Sequence, residues 1–189
     1  MVSILWTCSN RWFHDFSKSA KDKAAYLKFD TLQYGAYRWR TNQQTLEWEL
    51  FLSYYIKIDK DGRYVVMRHN TTPEAALYYK GNIDNSTRIV LDSLSVVHLN
   101  TTYFNDQLRI YDGNTFHLNY WNATEHDVDF YQIDATPFLK RLADALDTVV
   151  FQSKESIPSF DLASYQEELK NRSLKRFGQL PKIEAPRFR

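Results

Sequence analysis

TLEWELFLSYYIKI, residues 45–58, is the stretch of the sequence that most clearly specifies a fold. From Leu46 to Leu52 every second residue is a Leu or a Trp, which is the alternation typical of a half-buried β-strand. The turn sequence DKDG follows at 59–62, and its glycine can supply the positive φ of a tight turn. RYVVMR, residues 63–68, then returns as the partner strand. The sequence therefore predicts a β-hairpin here.

Three further segments also have the composition of strands. AALYYK at 75–80 is predicted as the next strand of the same series. QLRIY and TFHLNYW flank the turn signal DGN, so that residues 107–121 predict a second hairpin. HDVDFYQI at 126–133 alternates polar and apolar side chains, which places Asp127 and Asp129 on the face opposite Val128.

Helical patterns stand before, within and after these strands. DFSKSAKDKAAYLKF at 15–29 has helical spacing. Residues 86–99 fit either a short helix followed by a loop or a strand, and we favour the helix. From Pro137 to Val150 an apolar stripe predicts a helix that Asp134 or Thr136 could cap, and a second helix begins at Ser159. The sequence also places a helix stop at Gly178.

The order of these elements predicts an α+β fold. It is an antiparallel β-meander of about five to seven strands, preceded by one helix and covered by one or two C-terminal helices. We expect residues 1–169 to form a single globular domain and residues 170–189 to form a basic, proline-containing tail.

Composition limits the class of protein. Hydrophobic residues make up 43% and charged residues 25%, as in ordinary globular proteins, while aromatic residues reach 16% and can fill the core. Cys8 is the only cysteine, which excludes an internal disulfide, and no segment predicts a signal peptide or a membrane span. We therefore expect a cytoplasmic protein. The alternative is a secreted one, because five Asn-x-Ser/Thr tripeptides are present, at Asn70, Asn85, Asn100, Asn122 and Asn171.

Charge is concentrated at the C-terminus. Residues 170–189 hold seven basic residues and one acid, a net of +6, so the rest of the chain carries −5 of the formal +1. Apolar residues are interspersed with these charges, and such a segment can dock in a groove or on a sheet edge of a partner. The residues expected to bind a protein partner are Lys175, Arg176, Phe177, Leu180, Ile183, Arg187, Phe188 and Arg189.

One segment suggests nucleic-acid binding as an alternative. YGAYRWR at 34–40 interleaves aromatic and basic residues, a combination that stacks on bases and neutralises phosphates. The residues concerned are Tyr34, Tyr37, Arg38, Trp39 and Arg40. An amphipathic strand whose arginine stems lie over aromatic rings explains the same pattern.

Catalytic motifs are sparse. No histidine stands at metal-ligand spacing from another His or Cys, no glycine-rich phosphate loop occurs, and we predict neither a metal nor a cofactor. His117, Asp127 and Asp129 form the one candidate acid–base group, since two carboxylates and an imidazole can serve such chemistry when burial separates their pKa values. A solvated strand face explains them equally.

The function that the sequence favours is therefore non-enzymatic. We expect a binding module or accessory subunit that docks on a protein partner or larger assembly, partly through its basic tail. The alternatives are an RNA- or DNA-associated protein that uses residues 34–40 and the tail, and a small hydrolase-like enzyme built around His117, Asp127 and Asp129.

Overall fold

The structure, a computed structural model, describes residues 26–42, 44–70, 75–104 and 114–177, with side chains up to Lys175. Within these ranges eight strands form one sheet: β1 (Thr31–Thr41), β2 (Trp48–Asp59), β3 (Arg63–His69), β4 (Ala76–Asn82), β5 (Thr102–Tyr103), β6 (Thr115–Asn122), β7 (Thr124–Phe130) and β8 (Glu155–Ile157). Three α-helices accompany them: α1 (Asn85–Asp92), α2 (Pro137–Gln152) and α3 (Ala163–Phe177).

The sheet is antiparallel apart from one short pair. Its strand order is β5-β7-β6-β1-β2-β3-β4-β8, and only β5 and β7 run parallel. The predicted α+β class, with a meander of consecutive antiparallel strands and helices after it, is confirmed. The described residues contain eight strands rather than five to seven, because β5 and β8 are short edge strands that sequence periodicity does not reveal.

The hairpin predicted from residues 45–68 is confirmed. Gly62 has a φ of +83°, a conformation that side chains disfavour, and its amide donates to the carbonyl of Asp59. The carboxylate of Asp59 accepts from the amides of Asp61 and Arg63, both at 3.0 Å. These local bonds fix the register in which Ile58 faces Tyr64.

Residues 107–113 of the hairpin predicted at 107–121 lie outside the described residues. The second strand of that hairpin exists as β6, which pairs with β1 on one side and with β7 on the other. A turn signal specifies where a chain can reverse, whereas the partner of a strand depends on long-range packing.

The two helical segments predicted at 15–29 and within 86–99 have different outcomes. The helix favoured within 86–99 is confirmed as α1, which ends in a 3₁₀ turn at Ser93–Ser95. Asp84 caps α1, since its carboxylate accepts from the amide of Thr87 at 2.7 Å. The helix predicted at 15–29 lies almost wholly outside the described residues.

Helices cover both faces of the sheet. Helices α1 and α2 lie on one face, the α2 face, where Leu139, Leu142 and Leu146 pack with Tyr34 and Ile56. Helix α3 lies on the other, the α3 face, where its buried residues Tyr165 and Leu169, with Leu162 just before the helix, pack with Tyr37, Leu52, Tyr55 and Met67.

A β-bulge in β2 distributes the apolar residues of residues 45–58 between the two cores. Ala36 pairs with Tyr54 and Tyr37 pairs with Leu52, so Ser53 is the extra residue. Leu52 therefore faces α3, while Tyr54 faces α2, although the two are only two positions apart.

The C-terminal helices begin and end where local chemistry allows. The hydroxyl of Thr136 accepts from the amide of Leu139 at 3.2 Å, and Pro137 stands in the first turn of α2, as predicted. Helix α3 continues to Phe177. The first part of the segment predicted as a tail, residues 170–177, is therefore helical.

Candidate functional site

The three candidate acid–base residues lie together on the α3 face. His117 of β6 is the antiparallel partner of Asp129 of β7, and Asp127 stands two residues before Asp129 on the same face of its strand. The alternation predicted for residues 126–133 thus brings both carboxylates to the imidazole.

His117 connects the sheet to helix α3. Its Nε2 lies 2.6 Å from Oδ1 of Asp127, and its Nδ1 lies 3.0 Å from the hydroxyl of Tyr165. The side chain of His117 is only 1% exposed. When the imidazole is neutral and the carboxyl is ionised, Nε2 carries the proton, because a carboxylate only accepts hydrogen bonds, and Tyr165 then donates to Nδ1.

Arg172 of α3 completes the group. Its guanidinium donates to Oδ2 of Asp127 and, at 3.1 Å, to Oδ2 of Asp129. Tyr165 and Arg172 are seven residues apart, about two helical turns, so both face the sheet. We call these five residues, His117, Asp127, Asp129, Tyr165 and Arg172, the α3 clasp.

The hydroxyl of Tyr165 is enclosed against β1. A Cβ at Gly35 would stand 2.8 Å from that oxygen, so only glycine leaves room for it. Burial, followed by the nearby charges, raises the pKa of Tyr165 well above its ordinary value, so that the group remains a neutral hydroxyl donor.

The residues of the clasp stand in the order of a proton relay, but a substrate cannot reach the hydroxyl end of the series. A carboxylate, an imidazole and a hydroxyl in series is the arrangement that activates a nucleophile. Here the hydroxyl end is buried and faces Gly35, where a substrate has no space while α3 is seated. In this arrangement the clasp holds α3 on the sheet.

Comparisons with protein-family models, with curated proteins and with solved structures found no match to this chain.

A groove lies beside α3, near the end of the β1–β2 pair. It has a volume of about 390 Å³. Its sheet side is formed by half-buried residues, Trp39, Trp48, Glu49 and Leu50, and its helix side by Ala163, Gln166, Glu167 and Lys170. The four helix residues are spaced by three, one and three positions, which places them along one flank of α3.

Hydrogen bonds fix the walls of this groove. The indole Nε1 of Trp39 donates to the hydroxyl of Ser173 at 2.6 Å, and Ser173 is only 1% exposed. Glu49 accepts from Arg40 at 2.7 Å and from Asn42 at 2.8 Å. These two hydrogen bonds, that of Asn42 first, lower the pKa of Glu49, which is therefore a carboxylate at neutral pH.

The residues proposed for nucleic-acid binding are distributed over different environments. Tyr34 and Tyr37 are each 1% exposed, on opposite faces of the sheet, so their rings are enclosed. Trp39 lines the groove, and Arg40 pairs with Glu49. Arg38 is exposed, with its guanidinium 5.5 Å from the ring centre of Phe51.

A second polar group lies on the α2 face. Asp147 of α2 accepts from the hydroxyl of Tyr54 at 2.6 Å and from that of Tyr34 at 3.0 Å. Burial raises the pKa of Asp147, although both hydroxyl donors oppose the shift. The hydroxyl of Tyr34 is thus bonded to α2, which the sequence pattern did not indicate.

Of the residues predicted to bind a partner, Lys175 is exposed on α3. Arg176 and Phe177 belong to the last turn of α3, and their side chains are outside the described part. The other predicted residues, Leu180, Ile183, Arg187, Phe188 and Arg189, lie beyond the described residues altogether.

The described residues lack both a membrane-spanning helix and a cluster of metal-ligating side chains. No helix there is long and apolar enough to cross a lipid bilayer. No group of three or more His, Cys, Asp or Glu side chains in this part of the chain could hold a metal ion.

Tyr165 and Arg172 are the members of the site that sequence reasoning missed. Tyr165, Leu169 and Arg172 share one face of α3. An arginine on a face otherwise used for packing needs a buried partner, and this was the available signal.

Proposed function

We propose that the protein is a non-enzymatic binding module, an accessory subunit that docks on a protein partner through the groove beside α3 and the basic segment that follows this helix. The observation that carries the proposal is the groove itself. Two tryptophans and a leucine line it on the sheet side, and glutamine, glutamate and lysine line it on the helix side. Protein interfaces combine aromatic anchors with a polar rim in the same way.

The α3 clasp supports this role by keeping the groove in one shape. Helix α3 forms one wall, and the opposite wall comes from β1 and β2. Arg172 and Tyr165 fasten the helix to β6 and β7, and Ser173 fastens it to Trp39. A preformed site loses less conformational entropy on binding than a site that must assemble.

The charge distribution supports the same proposal. The segment that follows α3 contains Lys182, Arg187 and Arg189 against Glu184, together with four apolar residues, Leu180, Ile183, Ala185 and Phe188. A segment of this composition gains both apolar and electrostatic contacts when a partner orders it.

The test is capture from native lysate with four forms of the chain. These are the full chain, a chain ending at Phe177, Trp48→Ala, and Trp121→Ala as the matched control. Trp121 is 47% exposed and lies at the opposite end of the sheet from Trp39. The cut is placed after Phe177 because a cut after Leu169 would also remove Arg172 and Ser173.

We expect a defined protein that the full chain and Trp121→Ala retain and that the other two forms lose. Retention should be indifferent to nuclease. If nuclease releases the captured material, the protein associates with nucleic acid and the proposal fails. Equal capture by all four forms would also contradict it.

The series Asp127–His117–Tyr165 supports a second candidate, the hydrolase-like enzyme. It requires α3 to lift so that the hydroxyl of Tyr165 is reached. A panel of chromogenic esters tests it. Turnover that His117→Gln abolishes and Trp48→Ala preserves would favour the enzyme over the binding module.

A further inference from the structure

We propose that the groove beside α3 is a binding site for a basic peptide segment with an aromatic side chain, and that the chain's own C-terminal residues 178–189 occupy it in the free protein. Phe188, between Arg187 and Arg189, is the anchor that enters the groove. The inference deepens the proposed function and rests on it, since it assumes that the groove is the docking site, from which a partner displaces the segment and then contacts both the groove and the segment.

The floor of the groove suits an aromatic ring. Trp39 and Trp48 are both half-buried and present indole surface, and Leu50 adds an aliphatic contact. Aromatic pairs are favourable in tilted and offset geometries, so a phenylalanine fits between two indoles more readily than a polar side chain.

The helix wall suits a flanking arginine. Glu167 lines the helix side of the groove, and Lys170 is the one basic residue among those that line it. The carboxylate of Glu49 pairs with Arg40 on the opposite face of the sheet, whereas Glu167 accepts from Asn171 at 3.3 Å. A carboxylate can accept several hydrogen bonds, so Glu167 can take a further guanidinium donor.

The length of the segment is sufficient to reach the groove. Lys170 lies seven residues before Phe177, about 10 Å along the helix. Ala163 lies fourteen residues before Phe177, about 21 Å along the helix. Twelve residues of extended chain span up to about 40 Å. Gly178 and Pro181 are residue types that end a helix and redirect the chain, which a return along α3 requires.

Tethering favours the chain's own segment over a second copy. The segment begins at the end of the helix that forms one wall of the groove. A short flexible linker gives its bound group an effective concentration in the millimolar range. A free copy at micromolar concentration competes poorly with that.

The experiment places a nitroxide on the segment in the full-length chain. Cys8→Ser removes the only native thiol, and Ala185→Cys supplies a new one next to the anchor without altering residues 187–189. The readout is the intensity of the indole N–H signals of Trp39, Trp48 and Trp121 in the paramagnetic and the reduced state. Trp121 is the internal control, because it pairs with Thr31, eight residues from Trp39 along β1 and so about 26 Å away.

We expect the Trp39 and Trp48 signals to lose most of their intensity and the Trp121 signal to keep it. Phe188→Ala and Glu167→Lys should each restore the two signals, whereas Glu168→Lys, an exposed neighbour outside the groove, should not. Uniform signal intensities overturn the inference. Broadening that persists in Phe188→Ala overturns the assignment of Phe188 as the residue that enters the groove.

A mixed sample distinguishes the chain's own segment from a second copy. Chains that carry no nitroxide and are enriched in ¹⁵N are mixed with chains that carry the nitroxide and have natural isotope abundance. We expect no broadening, and broadening here would assign the groove to a second copy and overturn the inference. The measurement needs no partner, so it can fail while partner capture succeeds, and the reverse outcome contradicts only the proposed function.

Discussion

Replacing Arg172 with leucine tests whether the α3 clasp holds the last helix on the sheet. The guanidinium of Arg172 binds both Asp127 and Asp129, and Asp129 is only 1% exposed. Removing one partner of a buried ion pair costs about 3–5 kcal/mol. The side chains of Arg172 and Asp127 remain 29% and 23% exposed, which places the expected cost at the lower end, about 3 kcal/mol.

The assay is urea unfolding at pH 7, followed by tryptophan fluorescence and by circular dichroism. We expect the midpoint to fall with the slope unchanged, and the melting temperature to fall by about 6–12 °C for a chain of this length. Lys175→Leu is the matched control, since Lys175 is exposed on the same helix, and it should change stability by less than about 0.5 kcal/mol. A loss below about 1 kcal/mol for Arg172→Leu would refute the clasp as the main attachment of α3.

Three further predictions follow from individual contacts. Gly35→Ala should lower the free energy of unfolding in urea by about 1–3 kcal/mol, because its Cβ would stand 2.8 Å from the hydroxyl of Tyr165. This loss should be smaller in a Tyr165→Phe background, and an equal loss in both backgrounds would show that the hydroxyl is not the obstacle. Asp84→Ala should lower the free energy of unfolding at pH 7 by about 1 kcal/mol. Since the hydrogen bonds from Thr87 lower the pKa of Asp84, unfolding measured at several pH values should show this difference disappear as the pH falls below about 4. Asp147→Asn should gain stability relative to the parent protein as the pH rises from about 4 to 7. Burial raises the pKa of Asp147, so the folded parent loses stability as that carboxyl ionises, and a stability difference that stays constant with pH would contradict this.

The sequence predicts the hairpin of β2 and β3 because all its information is local. The alternation of residues 45–52 and the glycine of the turn act over a few positions. The Ser53 bulge is not visible in that pattern, since apolar residues continue at even positions on both sides of it. As a result, the alternation alone would assign Leu52 and Tyr54 to one face, whereas they belong to two cores.

The central strand illustrates why a motif can mislead. Residues 34–40 alternate aromatic and basic side chains, which indicates a surface when read alone. In the structure β1 lies between β2 and β6 with helices on both faces, so Tyr34 and Tyr37 are enclosed. A strand that is covered on both faces does not show a polar face in its sequence.

The candidate site was only half accessible to sequence reasoning. His117, Asp127 and Asp129 followed from the alternation on two strands, because neighbouring strands bring such positions together. Tyr165 and Arg172 lie more than forty residues from their partners on those strands. Their contacts depend on how α3 crosses the sheet, which no local pattern specifies.

The most direct test of the binding-module proposal is capture by the full chain beside Trp48→Ala and the control Trp121→Ala, with and without nuclease. We expect one protein partner that Trp48→Ala loses, that Trp121→Ala keeps, and that nuclease does not release. Capture that is unaffected by Trp48→Ala, or that nuclease removes, would contradict it.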